Sequence, residues 1–377
     1  MAIDKNAFLT LLFPLQLIFG DVIQRQTNYT FLNQGYVFES LAATGYNQQF
    51  LTKIYTIGSD NPASLSDFSQ FTLGFSYQFS SEINPAYQTN PGSYPQVSFT
   101  HERAEDALPQ SLGIAIPFSK FCFGIGLSQR YSSSWGLFDR TTFEQAGLSM
   151  IEKTIVLAQI NILTYKNSNL FRTNDSFSFG IKFSNNFLRS EVINMSDSNI
   201  GIYDYNVAVG FRYKTGKLGF GIHYESNSVF EKEKTRSNYS FLSTGALPSS
   251  INSGILWNPI QRLNVTLNAS LIFWERIPSS RQNEFRNYKN QVITAINACY
   301  SLYPVAITMG ILSTNRNYTE QSEENNSRFD YKVIMPIIGL NVSMFDFQAD
   351  ICYANSTFFS AEWQKQHIVK FAIGFKI

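Results

Sequence analysis

Few side chains in this sequence have the type and spacing that catalysis requires. The 377 residues include three histidines, His101, His223 and His367. Enzymatic hydrolysis needs a nucleophile beside a base, or a pair of carboxylates, within reach of each other. The sequence contains no Gly-x-Ser-x-Gly and no His-Glu-x-x-His element. It therefore predicts a protein that is not an enzyme and that works without a cofactor.

The cysteines indicate neither a metal site nor a disulfide framework. Cys122, Cys299 and Cys352 are odd in number and far apart along the chain. Zinc sites and redox pairs need cysteines separated by only a few residues. We therefore expect no bound metal.

A further set of side chains is charged and could hold a partner rather than catalyse a reaction. Each member falls on the polar side of a segment in which apolar and polar residues alternate. The set comprises Lys182, Arg212, His223, Glu225, Asp346 and Asp350, together with Lys370 and Lys376. Such charges can form salt bridges with another segment of the same chain. Alternatively, the cations can bind a carboxylate, because arginine offers it two parallel hydrogen bonds.

The segments that position these charges have the period-2 pattern of β-strands with one apolar face. Phe71 to Phe79, Phe177 to Phe183 and Leu218 to Tyr224 place an aromatic or aliphatic residue at every second position. The intervening positions are rich in Gly, Ser and Asn. In a soluble sheet that face would meet water and be rich in Lys, Glu and Thr. Its composition therefore favours the crowded inside of a barrel.

The overall composition excludes two other classes of protein. Twenty-nine basic residues against 28 acidic ones leave a net charge of +1, so no basic surface is available for nucleic acid. The mean hydropathy is −0.13, and no apolar run reaches the roughly 20 residues that a membrane-spanning helix needs. Charged residues make up 15% of the chain while phenylalanine contributes 34 residues. A β-barrel in a membrane accounts for both, since only alternate residues of its strands face lipid.

The connections between the alternating segments also alternate, between tight turns and long polar loops. Short turns at one rim and long loops at the other are typical of outer-membrane barrels, and the pattern gives about 14 strands. The sequence thus predicts an all-β fold, a transmembrane antiparallel barrel over residues 68–377. We expect a monomer in the lipid bilayer of the outer membrane of a Gram-negative bacterium.

The residues ahead of the barrel divide into two parts. Phe8 to Gly20 is apolar but too short to span a membrane, so residues 1–20 are predicted to be a signal peptide. A buried N-terminal segment is the alternative. Residues 21–67 are neither alternating nor highly charged. They can lie in the periplasm or in the barrel interior, the lumen. Because about 14 strands enclose more space than strand side chains alone can fill, they are predicted to form a plug in the lumen.

Three stretches of the chain resemble one family. The sequence from Ile57 to Leu65, which contains Asn61-Pro62-Ala63, precedes the first clear strand and resembles the hatch of the outer-membrane long-chain fatty acid transporters. The sequences Ala115 to Lys120 and Gly254 to Leu263 resemble strand and turn elements of that family. The resemblance implies a barrel that carries its hatch inside the lumen.

The resemblance also implies a function. A hydrophobic small molecule such as a long-chain fatty acid would be captured in the outer loops and move to a site in the barrel. It would be released when the hatch around Asn61, Pro62 and Ala63 shifts. Trp135, Leu137 and Phe138 are candidates for a hydrophobic capture groove, or else for the aromatic girdle that such barrels carry. A barrel serving the secretion or attachment of partner proteins is one alternative, and a porin for polar solutes is another.

Overall fold

The structure, a computed structural model, describes the chain from residue 39 to its end with gaps at the loops. The described residues are 39–88, 98–136, 151–168, 175–192, 200–229, 246–276, 286–315, 318–320, 332–357, 359 and 366–377. Residues 1–38, which hold the predicted signal peptide and the start of the predicted plug, lie outside them.

Within the described residues, fourteen antiparallel strands form one closed barrel, each paired with its neighbours along the chain. In chain order they are β1 Thr72–Gln88, β2 Ser98–Phe118, β3 Phe121–Gly136, β4 Ile151–Ser168, β5 Asp175–Val192, β6 Ile200–Thr215, β7 Leu218–Glu225, β8 Ser250–Ile260, β9 Leu263–Ile272, β10 Gln291–Leu302, β11 Val305–Asn315, β12 Lys332–Met344, β13 Phe347–Asn355 and β14 Gln366–Lys376. The last strand closes the ring against the first, with Lys376 opposite Thr72 and Val369 opposite Phe79. The predicted barrel and its strand number are confirmed.

Exposure alternates along each strand as the sequence pattern requires. In β7, Leu218 and Phe220 point outward and are 53% and 45% exposed, whereas Gly219 and Gly221 point inward and are buried. The exposed aliphatic and aromatic side chains therefore cover the outer wall, where a lipid bilayer solvates them. None of the helices among the described residues is long and apolar enough to cross a membrane.

The two rims of the barrel differ in their connections. Two-residue turns at 119–120, 216–217, 261–262, 303–304 and 345–346 lie at one end, which we call the turn rim. Ser119, Gly216 and Phe345 have positive φ angles there. Of the longer connections, the one between Ser168 and Asp175 also joins strand ends at the turn rim, and the others lie at the opposite end, the loop rim. The chain enters the barrel from the turn rim at Thr72 and ends beside it, since the amide of Ile377 donates to the carbonyl of Phe71.

The wall has a slot between β2 and β3. These strands pair only from Ser111 opposite Ser128 down to the turn rim. Above that point, within the described residues, β2 pairs with β1 alone and β3 with β4 alone. The pairings of β2 with β1 and of β3 with β4 each shift by one residue there, which is a β-bulge that bends the strand. The bends carry the two strands apart toward the loop rim.

Residues 39–67, the inner segment, lie inside the ring. The segment consists of a short hairpin, Leu41–Ala42 paired with Gly45–Tyr46, and the 3-10 helices Ile54–Thr56 and Pro62–Asp67. Its side chains and carbonyls contact inward-facing residues around the barrel, from Ser111 on β2 to Lys370 on β14. The polar residues on the inner face of the strands are therefore buried against protein rather than water.

Candidate functional site

Asn61, Pro62 and Ala63 bind the inner segment to the wall between β6 and β7. The Asn61 amide group donates to the backbone carbonyls of Phe211, at 3.0 Å, and Ile222, at 3.1 Å. Its oxygen accepts from the amide of Ala63 at 2.9 Å and so caps the helix that Pro62 begins. The Asn61 side chain thus caps the helix and also attaches it to two strands of the wall.

Glycines on the inner wall let the backbone of the inner segment approach the strands directly. A Cβ atom at Gly180 would overlap the backbone of Pro62 and Ala63, and one at Gly113 would overlap the carbonyl of Ile54. At Gly126 the space is larger, because an added Cβ atom would lie 3.4 Å from its nearest neighbour, in Ile57. This close approach explains why the inward positions of the strands are rich in glycine.

Arg212 holds the end of the inner segment. Its guanidinium donates to both carboxylate oxygens of Asp67, at 2.8 and 2.9 Å, and Lys214 donates to the same carboxylate at 3.1 Å. Burial raises the pKa of Asp67, but the charges of Arg212 and Lys214 outweigh burial and hold it below the usual value. Phe50 stacks on both cations. The carboxylate that Arg212 binds therefore belongs to the protein itself.

Lys182 and Glu225 form an ion pair across three strands. Their nitrogen and oxygen lie 3.0 Å apart, and the residue opposite both on the intervening strand is the small Ala208. Lys182 also donates to the carbonyl of Gly58 at 2.9 Å, while Asn206 donates to Glu225 at 2.8 Å. Both charges are buried and compensated, so the pair fixes the inner segment against β5.

Asp350 on β13 binds the opposite side of the inner segment. It accepts from the hydroxyl of Tyr55 at 2.6 Å and forms a salt bridge with Lys53 at 3.4 Å. On the next strand, Lys370 donates to the carbonyl of Glu39 at 3.1 Å. The inner segment is thus held by charged side chains on both halves of the ring.

His223 lies within hydrogen-bonding distance of two amide side chains. Its Nδ1 is 2.9 Å from Gln49 Nε2 in the inner segment, and its Nε2 is 2.9 Å from Asn252 Nδ2 on β8. Gln49 in turn accepts from Asn61 at 2.7 Å. The imidazole therefore belongs to a polar network that positions Asn61.

The candidate residues chosen from the sequence separate into three groups. Lys182, Arg212, His223 and Asp350 contact the inner segment directly, and Glu225 does so through Lys182. Asp346 was expected in the lumen, but it lies exposed in the turn at 345–346, because β12 runs as far as Met344 before the chain turns. The side chain of Trp135 and the whole of Leu137 and Phe138 lie outside the described residues.

An apolar cluster inside the barrel was not predicted, because the inner face was expected to be polar throughout. It lies on the loop-rim halves of β9 to β14, and Leu41 and Tyr46 of the inner segment pack against it. Its wall residues are Ile272, Trp274, Ile293, Ala295, Leu312, Val333, Met335, Ile337, Cys352, Ala354 and Ile368. The sequence carries a signal for it, since Val333 to Ile338 are apolar at six successive positions. Such a run indicates a strand that is apolar on both faces.

A cavity of about 280 Å³ lies on the turn-rim side of the inner segment. Its wall comes from the opposite halves of the strands that carry the apolar cluster, including Asn264, Ser301 and Asn341. From the inner segment, Thr44 and Lys53 line it. Along one arc of the ring, the lumen is therefore apolar near the loop rim and polar near the turn rim.

Comparison with solved structures identifies the fold. The sequence matches no protein-family model and, at a significant level, no curated protein. A Pseudomonas aeruginosa FadL homologue aligns over 93% of this chain and 99% of its own, with a TM-score of 0.59 and 11% identity. A mutant of the TodX monoaromatic hydrocarbon channel covers 90% and 98%, with a TM-score of 0.62 and 10% identity. The toluene transporter TbuX of Ralstonia pickettii covers 92% and 100%, with a TM-score of 0.59 and 11% identity. The chain has the fold of these barrels.

Proposed function

We propose that the protein is a channel of the Gram-negative outer membrane through which hydrophobic small molecules pass. The observation that carries this proposal is the apolar cluster inside the barrel. A pore for polar solutes needs a polar, water-filled lumen, whereas here the loop-rim half of one arc is apolar and the inner segment fills the middle. Apolar walls with few polar groups are typical of sites that bind hydrophobic ligands.

The slot between β2 and β3 supports a lateral route for such molecules. The exposed side chains of Leu112 and Leu127 lie on the outer wall at its lower edge, where Ser128 donates a hydrogen bond to Glu39 of the inner segment. A hydrophobic molecule gains nothing from entering water, so an opening toward the bilayer offers it a favourable path. The slot therefore joins the lumen to the membrane at the level of the inner segment.

The finer substrate class in this proposal is the long-chain fatty acids, with uncharged aromatic hydrocarbons as the second candidate. The family resemblance supports fatty acids. The second candidate is supported by the contacts of Arg212, Lys182 and Lys370, which bind groups of the protein itself where a fatty acid carboxylate would need a cation. Comparing labelled oleate with toluene tests both.

Uptake into liposomes containing the purified full-length protein tests the proposal with a matched pair of variants. Met335 is 1% exposed in the apolar cluster, and Met309 is 66% exposed on the outer wall. We expect Met335→Gln to reduce uptake of the hydrophobic substrate about tenfold, because an apolar molecule beside the new amide would leave it without hydrogen-bond partners, at a cost of about 1 to 3 kcal/mol. Liposomes containing the Met309→Gln protein should take up substrate at the wild-type rate.

Two other results would support a different function. Conductance steps in a planar bilayer without hydrophobic uptake would identify a porin. Co-purification of a secreted protein, again without uptake, would favour a barrel that serves secretion or attachment. Equal uptake by the Met335→Gln and wild-type proteins would show that the substrate does not pass along the apolar cluster.

A further inference from the structure

Basic side chains are unevenly distributed among the two-residue turns of the turn rim. Lys120, Lys217 and Arg262 each lie in one of these turns and are exposed, whereas the remaining two turns contain Tyr303 and the exposed carboxylate of Asp346. The turns of Lys217 and Arg262 are neighbours, because β7 and β8 pair between them. Among these described turns, no other neighbouring pair carries two cations. Two positive charges therefore lie on one arc of the rim.

Contacts between the two turns bring these cations to the same place. The carbonyl of Lys217 accepts from the amide of Asn258 at 2.8 Å, and its ammonium group donates to the carbonyl of Pro259 at 3.3 Å. Asn258 and Pro259 fall within a β-bulge of β8, immediately before the turn that contains Arg262. The Lys217 ammonium group therefore lies on the bulge, beside the turn of Arg262.

No carboxylate of the described chain compensates this pair. Within the described residues, neither Lys217 nor Arg262 forms an ion pair, and the Lys217 ammonium group bonds a neutral carbonyl. Lys214, three residues before Lys217, differs, because its ammonium group lies 3.1 Å from a carboxylate oxygen of Asp67. An anion from outside the chain can therefore approach Lys217 and Arg262 without displacing a carboxylate of the protein.

The outer wall next to this pair is apolar. Trp257 on β8 and Leu218 on β7 lie opposite each other and are exposed, and so is Ile260 beside the turn of Arg262. The short turns of outer-membrane barrels face the periplasm, and tryptophan is enriched where lipid headgroups meet acyl chains. Lysine and arginine side chains at this level extend toward the headgroups while their stems stay on apolar surface. The two cations thus lie at the level of the headgroups.

We propose that Lys217 and Arg262 form a binding site for the phosphate group of an anionic phospholipid in the periplasmic leaflet. Trp257, Leu218 and Ile260 contact the acyl chains of that lipid. The guanidinium of Arg262 can donate two parallel hydrogen bonds to phosphate oxygens, and Lys217 adds a second positive charge. A zwitterionic lipid compensates its own phosphate with an ammonium group, so the site favours anionic lipids. The site does not depend on what passes through the barrel.

Native mass spectrometry of the full-length protein tests this site. The protein is taken from micelles that contain equal amounts of phosphatidylglycerol and phosphatidylcholine, and the retained lipids are counted. Each basic group beside an anionic headgroup strengthens binding roughly fivefold, so the ratio of retained phosphatidylglycerol to phosphatidylcholine should fall roughly 25-fold in the double variant Lys217→Gln with Arg262→Gln. The double variant Lys217→Arg with Arg262→Lys keeps both charges and should keep most of the preference.

A further double variant separates the local pair from the total charge. Lys120→Gln with Lys376→Gln removes the same charge from the turn rim. Lys376 lines the cavity inside the barrel, so these two lysines do not form a pair on the outer wall. This variant should retain the two lipids in the wild-type ratio. Each variant is first checked for the gel mobility shift on heating that a folded barrel shows.

Fluorescence quenching locates the lipid and distinguishes it from free phosphate. Brominated phosphatidylglycerol should quench Trp257 more strongly than brominated phosphatidylcholine does. The contribution of Trp257 is obtained by difference from the variant Trp257→Phe. Glycerol 3-phosphate carries the phosphate group without acyl chains and should not displace the brominated lipid at equal concentration.

Three results would overturn the lipid site. The first is equal retention of both lipids by the wild-type protein. The second is an equal fall of the ratio in the two glutamine double variants, which would assign the preference to total charge. The third is displacement by glycerol 3-phosphate, which would identify a site for soluble phosphate. None of these results concerns the uptake of oleate or toluene, so the proposed function is tested separately.

Discussion

The charged residues of the lumen act as attachment points for the inner segment. Asp350 shows this clearly, because its carboxylate receives Tyr55 and Lys53 from the segment and Asn341 from its own wall. A buried carboxylate is stable only when such partners replace its water. Of the two uses that the sequence left open for these charges, the contacts favour the structural one.

Asp350→Asn should destabilise the protein, because Lys53 would lose its ion-pair partner inside the barrel. We expect a loss of about 1 to 3 kcal/mol in the free energy of unfolding, measured by urea-induced unfolding in detergent micelles. Asp346→Asn is the matched control, since Asp346 is exposed in a turn. A change of equal size in both variants would show that Asp350 does not anchor the segment.

Asp60 provides a pH-dependent test of the inner segment. It is fully buried, and one carboxylate oxygen has no hydrogen-bond partner among the described residues. Burial raises its pKa to about 8 from the ordinary value of 3.8, although Thr56 donates a hydrogen bond to it at 2.7 Å. Between these two values the folded protein keeps a proton that the unfolded chain releases. The titration of Asp60 therefore lowers the free energy of unfolding as the pH rises from about 4 to about 8.

Asp60→Asn should remove this dependence, because an amide stays neutral at every pH. The difference in unfolding free energy between variant and wild type should grow in favour of the variant between pH 5 and pH 8. Urea unfolding in detergent at several pH values measures it, and the other titrating groups cancel in the comparison. A difference that stays constant over this range would place the Asp60 pKa at its ordinary value.

At the scale of elements, the inner segment packs closely against the strands because the wall has glycines at the points of contact. Gly180→Ala places a methyl group in the backbone of Pro62 and Ala63 and should destabilise the protein by about 1 to 3 kcal/mol. Gly126→Ala serves as control, because its new methyl group would be in ordinary contact, 3.4 Å from Ile57. Thermal unfolding followed by gel mobility compares the two. Equal melting temperatures would show that the segment is loosely seated.

The strands were predictable from the sequence and the contents of the lumen were only partly so. Alternation in segments such as Leu218 to Tyr224 has one physical cause, lipid on one side and protein on the other, and it predicted the number of strands correctly. The apolar cluster was missed because Ile293 and Met335 sit on the inward side, where a polar residue was expected. The pairing of Asn268 and Asn297 with Tyr46 joins residues more than 200 positions apart. No local pattern records such a contact.

At the scale of the whole molecule, removing the inner segment should convert the barrel into an open pore. Deleting residues 21–67 removes the inner-segment partners of Arg212, Asp350 and Lys370 but leaves the pairing between strands, so we expect the barrel to remain heat-modifiable on a gel. Liposomes containing it should admit small polar solutes that the wild type excludes. If they stay impermeable, other residues fill the lumen and the segment is not the plug.

The attachment of the inner segment to both halves of the ring has a consequence for the timing of assembly. Glu39 lies near the start of the described chain and binds Lys370 on the final strand, 331 residues later. Contacts over such separations form late, because closing a long loop costs entropy before the contact repays it. Until β13 and β14 arrive, the segment has only its partners on the earlier strands. Residues that are synthesised early therefore complete their structure only when the last strand is in place.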